Sequence, residues 1–198
     1  MIILDVRTWF HGTDEFNAIE IALRGIKPNY ARPRLGDFSE GSGFNLSPCL
    51  DYACKKAKSN MKKKQAIIVF DGINPREFFL QRDSMGREIG KCFQEANDEW
   101  KEVVKKYRDG LVIADDDNIE IERMIKYIYG PISKGFNTKL KKRQDTERNI
   151  PEERRRPWAP EPAIDKSKNS LQYQLCIRDD QLASTFFQMS VVSIIFVK

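Results

Sequence analysis

A single histidine, His11, serves the whole chain of 198 residues. Most zinc architectures draw on imidazole or on paired thiols, and the four cysteines, Cys49, Cys54, Cys92 and Cys176, include no Cys-x-x-Cys pair. No bound metal is therefore expected, and reduced thiols, core or half-buried, are predicted in a cytoplasmic or nuclear setting. Long apolar runs are missing too: none approaches the ~18 residues that span a bilayer. The N-terminal stretch meets Asp5 and Arg7 too early to form the apolar centre of a signal peptide. SEGSG, at 39–43, matches neither a Walker loop nor a dinucleotide fingerprint, which argues against a phosphate-loop ATPase. Neither sign of charge dominates, since 34 basic residues against 29 acidic leave a net charge of +5. That balance favours an anionic partner without choosing among a nucleotide, a nucleic acid and an acidic surface.

What the chain does contain is enough apolar material, 40% with twelve phenylalanines, for one substantial core, and a single domain over 1–198 is expected. Strand patterns cover 2–10, with His11 at the end, and then 44–46, 65–71, 171–177 and 191–197. Helices are predicted over 13–24, with Thr13 or Asp14 as cap and Gly25 as stop, and over 48–59, with Ser47 as cap and Pro48 first. A further helix is predicted over 90–108, GKCFQEANDEWKEVVKKYR, with Trp100, Val103, Val104 and Tyr107 on one face. QAIIVFD, at 65–71, reads as a strand buried on both faces, and the apolar close, SVVSIIFV, reads as a strand inside a sheet. DGLVIADDD, from 109, suggests another strand, and IERMIKYIYGPIS a helix followed by a strand. Residues 137–170, rich in proline and charge, read as an exposed insertion or long loop. This order gives an α+β domain.

Three separated elements carry more information. A strand running into His11-Gly12-Thr13 is followed by Asp37-Phe38, then by Gly41, Gly43, Phe44, Asn45, Leu46 and Ser47 before a lysine-bearing helix. This pattern resembles the opening of ADP-ribosyltransferase-like domains of the histidine class, the fold shared by poly-ADP-ribose polymerases and diphtheria toxin. It is similar above all to a poorly characterised branch with H-G-T and D-F-G-x-G-F-Y-L-T. Gly130-Pro131-Ile132 and the late strand Tyr173-Gln174-Leu175-Cys176-Ile177 extend the likeness from Phe10 to Ile177, outside the insertion.

The resemblance implies a split β-sheet core with short helices and a cleft that binds NAD. His11 would hold a ribose hydroxyl, and Gly12 would grip the nicotinamide amide through its backbone. Thr13, Gly43, Phe44 and Asn45 complete the implied cofactor-binding set, with the cleft open over Phe44 so that its ring stacks on nicotinamide. The catalytic positions fall on His11, Asn45 and Gln174. Two of these depart from the pattern: Asn45 stands where active relatives carry a stacking tyrosine, and no glutamate occurs between Glu161 and Lys198. Tyr173 or Gln174 occupies the place of the glutamate that offsets positive charge as nicotinamide leaves. An amide supplies no such charge, at a cost of about 100-fold or more in rate. Asp179 or Asp180 compensates only if the strand register turns one of them inward; a cap or exposed turn is the plainer reading.

Other polar clusters have ordinary readings. DDDN, at 115–118, suits a solvated turn better than a magnesium site. KKAKSNMKKK, at 55–64, suits a solubilising surface at least as well as a phosphate-binding one. The eight basic residues of 139–156, followed by Trp158, have the better claim to a phosphate-rich partner. The sequence thus points to an NAD-binding, ADP-ribosyltransferase-like protein with a protein or nucleic-acid acceptor. A catalytically impaired relative that only binds, or a basic interaction module that keeps only the fold, are the competing readings.

Overall fold

The computed structural model describes residues 2–28, 37–38, 43–58, 64–109, 124–134, 160–165 and 168–197. They form a mixed α+β fold in which a three-stranded and a four-stranded sheet share one core. The strand expected over 2–10 starts late, because Ile3–Asp5 forms a 3-10 turn, with the Val6 N–H on the Ile3 carbonyl. Strand β1 is Trp9–Asp14, paired antiparallel with β3 (Gln65–Asp71) from Trp9↔Phe70 to Asp14↔Gln65. His11 therefore lies inside the strand, opposite Ile68, and not at its end. Asp14 ends the strand, accepting from the Asn17 N–H to cap α1 (Glu15–Arg24), and Gly25, at φ 81°, stops that helix.

Strand β2 is Phe44–Leu46, as its sequence predicts. The next helix, α2, begins at Leu50 and runs to Lys58, two residues later than expected. Its delay has a cause: the Ser47 backbone bonds to Phe10 in both directions, and its hydroxyl accepts from the Cys49 N–H. Strand β3 is the centre of the first sheet, order β1-β3-β9, with Ala66, Ile67, Ile68 and Phe70 all buried. This matches the expectation of burial on both faces. Strand β9 (Val191–Val197) does not match its own: among the described residues it pairs only with β3, and it is half-exposed along its length. Apolar composition identified the strand but could not supply a second neighbour.

The second sheet runs from β2 through β8 (Tyr173–Ile177) and β5 (Tyr127–Pro131) to β4 (Gly90–Cys92). Helix α3 (Pro75–Phe79) comes first; the helix expected over 90–108 begins only at Asp98, because Gly90–Cys92 is drawn into the sheet as β4, and α4 (Asp98–Asp109) buries Trp100, Val104 and Tyr107 as one face while Val103 is half-buried. Strand β5 (Tyr127–Pro131) and β8 (Tyr173–Ile177) are both fully buried and antiparallel. The end of the predicted insertion is not loose chain, because β6 (Ile164–Asp165) and β7 (Ser170–Leu171) pair as a hairpin leading into β8. Helix α5 (Asp180–Gln188) follows, capped by Asp179. The aspartate cluster at 115–118, the basic tract at 139–156 and the strand expected from 109 lie outside the described residues, apart from Asp109 itself at the end of α4.

Between the sheets the main core joins Trp9, Ile68 and Phe70 to Tyr129, Leu175 and Phe186. Helix α4 closes the far face of the second sheet over Ile128 and Cys176. Helix α2 covers the outer face of the first through Ala53, Ala57 and Ile67. None of the four cysteines is in a disulfide; Cys176 is buried, Cys49 and Cys54 are half-buried, and Cys92 is exposed, contrary to expectation.

Candidate functional site

The two sheets meet at one bridge and then part. Phe10 donates its N–H to the Ser47 carbonyl at 2.8 Å, and Ser47 returns an N–H to the Phe10 carbonyl at 2.9 Å. Residues of an antiparallel strand alternate in the side to which their N–H and C=O point. Gly12, in phase with Phe10, must therefore present its N–H and C=O away from β3. Asn45, in phase with Ser47, turns its own backbone toward β1. Extending the register of the bridge sets Gly12 opposite Asn45, yet among the described residues no backbone bond joins them. A gap with open donors and an acceptor is left where a ladder would have continued.

His11 braces that gap. Its Nδ1 lies 2.7 Å from the Asn45 carbonyl, and its ring stacks on Phe44 with centroids 4.3 Å apart at 25°. Burial drives the imidazole pKa below its ordinary value, while the bond to the Asn45 carbonyl pushes the other way. A carbonyl only accepts, so the neutral ring carries its proton on Nδ1 and keeps a lone pair at Nε2. His11 is set up to accept a hydrogen bond from a hydroxyl.

Gly12 has a second constraint, on its other side. A Cβ built there would stand 1.9 Å from the Ala53 carbonyl oxygen and 2.8 Å from the Ala57 nitrogen, both in the α2 backbone. Only a hydrogen fits beneath the helix. The glycine thus lets α2 close one wall of the gap while its own backbone stays open at the edge.

The sequence-named residues divide. His11, Gly12, Phe44 and Asn45 come together, Gly43 sits just before β2 with its N–H on the Pro28 carbonyl at 3.0 Å, and Thr13 continues β1 opposite Ala66. Phe44, however, is only 7% exposed, held between His11 and an edge-on Phe70. The parity of β2 turns Phe44 and Leu46 into the core and Asn45 outward, so no cleft opens over the Phe44 ring. Gln174 stands apart: its amide donates to Asp37 at 3.2 Å in a buried cluster. Tyr173, its neighbour, faces the main core and stacks on Tyr129. Asp179 is a helix cap, accepting from the Leu182 N–H at 2.8 Å and lying 3.7 Å from Lys126.

That Asp37 cluster has no local signature in the sequence beyond the D-F dipeptide. Asp37 accepts from Arg108 Nε at 2.7 Å, from the Ser133 N–H at 2.8 Å and from the Ser133 hydroxyl at 2.6 Å. Its partners come from α4, from beyond β5 and from β8. A buried carboxylate is tolerable when it is charge-paired and its lone pairs are filled in this way.

A cavity of about 810 Å³ opens on the other side of the Phe10–Ser47 bridge. Phe10 and Tyr173 line it, with the Pro48–Asp51 entry to α2 and residues of the β6–β7 hairpin. Its volume lies within the ~300–1,000 Å³ of small-molecule sites. Donor atoms of Cys49, Asp51 and Asp165 converge within 4.8 Å in its wall, a set that could hold a divalent cation, and Lys168 lies 3.9 Å from Asp51. None of these four was singled out for a site by sequence, because the hairpin that brings Asp165 and Lys168 there reads as loop. Along α2, Lys55, Lys56 and Lys58 are exposed, and Lys56 lies over the Tyr52 ring at 5.1 Å. No helix among the described residues is long and apolar enough to cross a membrane. Comparison with family models, with curated proteins and with solved structures finds no match for this chain.

Proposed function

We propose that the protein is an NAD-binding, ADP-ribosyltransferase-like domain whose site is the gap between β1 and β2, and that it transfers ADP-ribose to a protein or nucleic-acid acceptor with release of nicotinamide. One observation carries this reading: Gly12 offers an N–H and a C=O side by side on an open strand edge, next to a neutral imidazole with a free lone pair. A carboxamide matches that edge with one acceptor and one donor, as the missing strand would have done. A sugar hydroxyl matches His11 Nε2. The lysines of α2 are suited to a phosphate-rich acceptor. On this reading the two sheets correspond to the split core of that superfamily.

When bound, NAD supplies a ribose whose bond to nicotinamide is already activated for cleavage. The residues of the chain bind and orient: Gly12 fixes the amide, His11 the ribose, and Asn45 holds the imidazole tautomer through its carbonyl. Because the Gln174 amide is occupied by Asp37 and carries no charge, one observation favours the second reading, a recognition module that binds without turnover.

The two are separated by incubating the protein with adenylate-labelled NAD, cell lysate and mixed nucleic acid, and by following nicotinamide release and label transfer. Transfer that is lost in His11→Ala supports the transferase. Saturable NAD binding without either product supports the recognition module, and absence of binding contradicts both.

A further inference from the structure

A reading of composition counts imidazoles and paired thiols, but the fold assembles a different set of metal donors. In the wall of the cavity beyond the Phe10–Ser47 bridge, Cys49 Sγ and carboxylate oxygens of Asp51 and Asp165 lie within 4.8 Å of one another. Two segments far apart in sequence supply them, and each is tied down. Cys49 stands just before α2 and Asp51 in its first turn, and the Cys49 N–H is held by the Ser47 hydroxyl, which itself donates to the Tyr173 carbonyl at 3.0 Å. Asp165 belongs to β6, opposite Ser170 of β7. That hairpin is bonded to the second sheet through Ile132, which accepts from the Ala163 N–H and donates to the Gln172 carbonyl.

The donor set selects its ion. Magnesium and calcium take oxygen ligands, whereas zinc accepts sulfur and carboxylate oxygen together. At ordinary bond lengths the ligands of tetrahedral zinc stand about 3.3–3.8 Å apart, so these three close by at most about 1.5 Å, within the reach of side-chain rotation. Carboxylates held this near repel each other, and a cation between them removes that repulsion. Three protein ligands leave a fourth position, and Gln172 gives an independent sign of what fills it. It lines the same cavity at 7% exposure, its backbone N–H and C=O are both bonded, and its side-chain amide has no hydrogen-bond partner among the described residues. A buried amide is seldom left so. The one side-chain polar atom wholly enclosed without a partner among those residues is Trp9 Nε1, so the Gln172 amide is open to solvent, and the space it borders is the cavity.

We infer that Cys49, Asp51 and Asp165 bind one Zn2+, whose fourth, oxygen ligand faces the cavity and hydrogen-bonds the Gln172 amide. The thiol gives up its proton to solvent as the metal binds. Because the β1–β2 gap lies on the other side of the bridge, this site does not depend on NAD.

Cobalt titration of the full chain, stripped of metal with a chelator, tests the inference, with zinc as competitor. One Co2+ per chain is expected, with a thiolate-to-cobalt charge-transfer band and the strong visible bands of tetrahedral geometry, all removed by one equivalent of Zn2+. Cys49→Ser is expected to abolish the charge-transfer band, while Cys54→Ser, at the other half-buried cysteine, keeps it. Asp165→Asn, and Asp51→Asn at an exposed position where folding is not at stake, are each expected to raise the Kd for cobalt about tenfold or more. Gln172→Leu is expected to shift the visible bands and keep the charge-transfer band. Absence of stoichiometric binding overturns the inference, as does a charge-transfer band that survives Cys49→Ser, or an affinity that neither aspartate variant moves. Visible bands unchanged in Gln172→Leu would remove that residue from the site.

Discussion

Gly12→Ala is expected to destabilise the fold by about 3 kcal/mol or more, at the upper end of the overpacking range, because its methyl group has no soft neighbour to displace. The atoms in its way, the Ala53 carbonyl oxygen at 1.9 Å and the Ala57 nitrogen at 2.8 Å, belong to the α2 backbone. Helix α2 must lift from β1, uncovering Ala53, Ala57 and Ile67. For a domain of this size the melting temperature should fall by roughly 10 °C. Gly72→Ala is the control, since at φ 79° it meets nothing within 4 Å and loses only the ~1–2 kcal/mol of a left-handed conformation. Equal melting temperatures for the two variants would show that α2 does not rest on Gly12. Because this glycine supports the helix as well as forming the edge, loss of activity in Gly12→Ala would not by itself locate a ligand.

The second large effect lies behind the other sheet. Asp37→Ala is expected to cost about 3–5 kcal/mol, because it strands the mostly buried Arg108 guanidinium together with the Ser133 N–H and the Gln174 amide. Gln174→Glu should destabilise at neutral pH by about 1–3 kcal/mol. It replaces a donor, 3.2 Å from Asp37, with a second carboxylate. Chemical denaturation of both variants against the wild type measures these differences. A stable Gln174→Glu protein would mean that the side chain can turn away from Asp37, and would return this position to the candidate catalytic set.

These two sites mark how far the sequence could be read. The His11-Gly12-Thr13 and Gly43-Phe44-Asn45 stretches were joined by the family resemblance and not by any local signal, and the structure sets the His11 ring against Phe44 and the Asn45 carbonyl. Their direction was not legible. Whether Phe44 or Asn45 faces inward is set by pairing with β8, 130 residues away, and a single step of register inverts it. Gln174 is misleading for the same reason: parity on β8 sends its amide to Asp37, and nothing near Asp37 announces Arg108. Strand β3 was legible because every interior position is apolar. Strand β9 has the same composition, but edge or centre depends on the other strands available, which its own residues do not encode. Ile2–Phe10 failed as one strand because a 3-10 turn bonds over three residues, below the reach of a periodic pattern.

The most direct test of the functional account is nitrogen-15 NMR of the labelled protein during titration with NAD, following the Gly12 amide and the His11 Nε2 resonance. Both are expected to shift and saturate together, with the Gly72 amide unmoved, as an amide docks on the β1 edge and a hydroxyl bonds to the imidazole. Shifts confined to the α2 lysines, or no shift at Gly12 and His11 while NAD is in excess, would contradict the assignment of this gap as the nucleotide site.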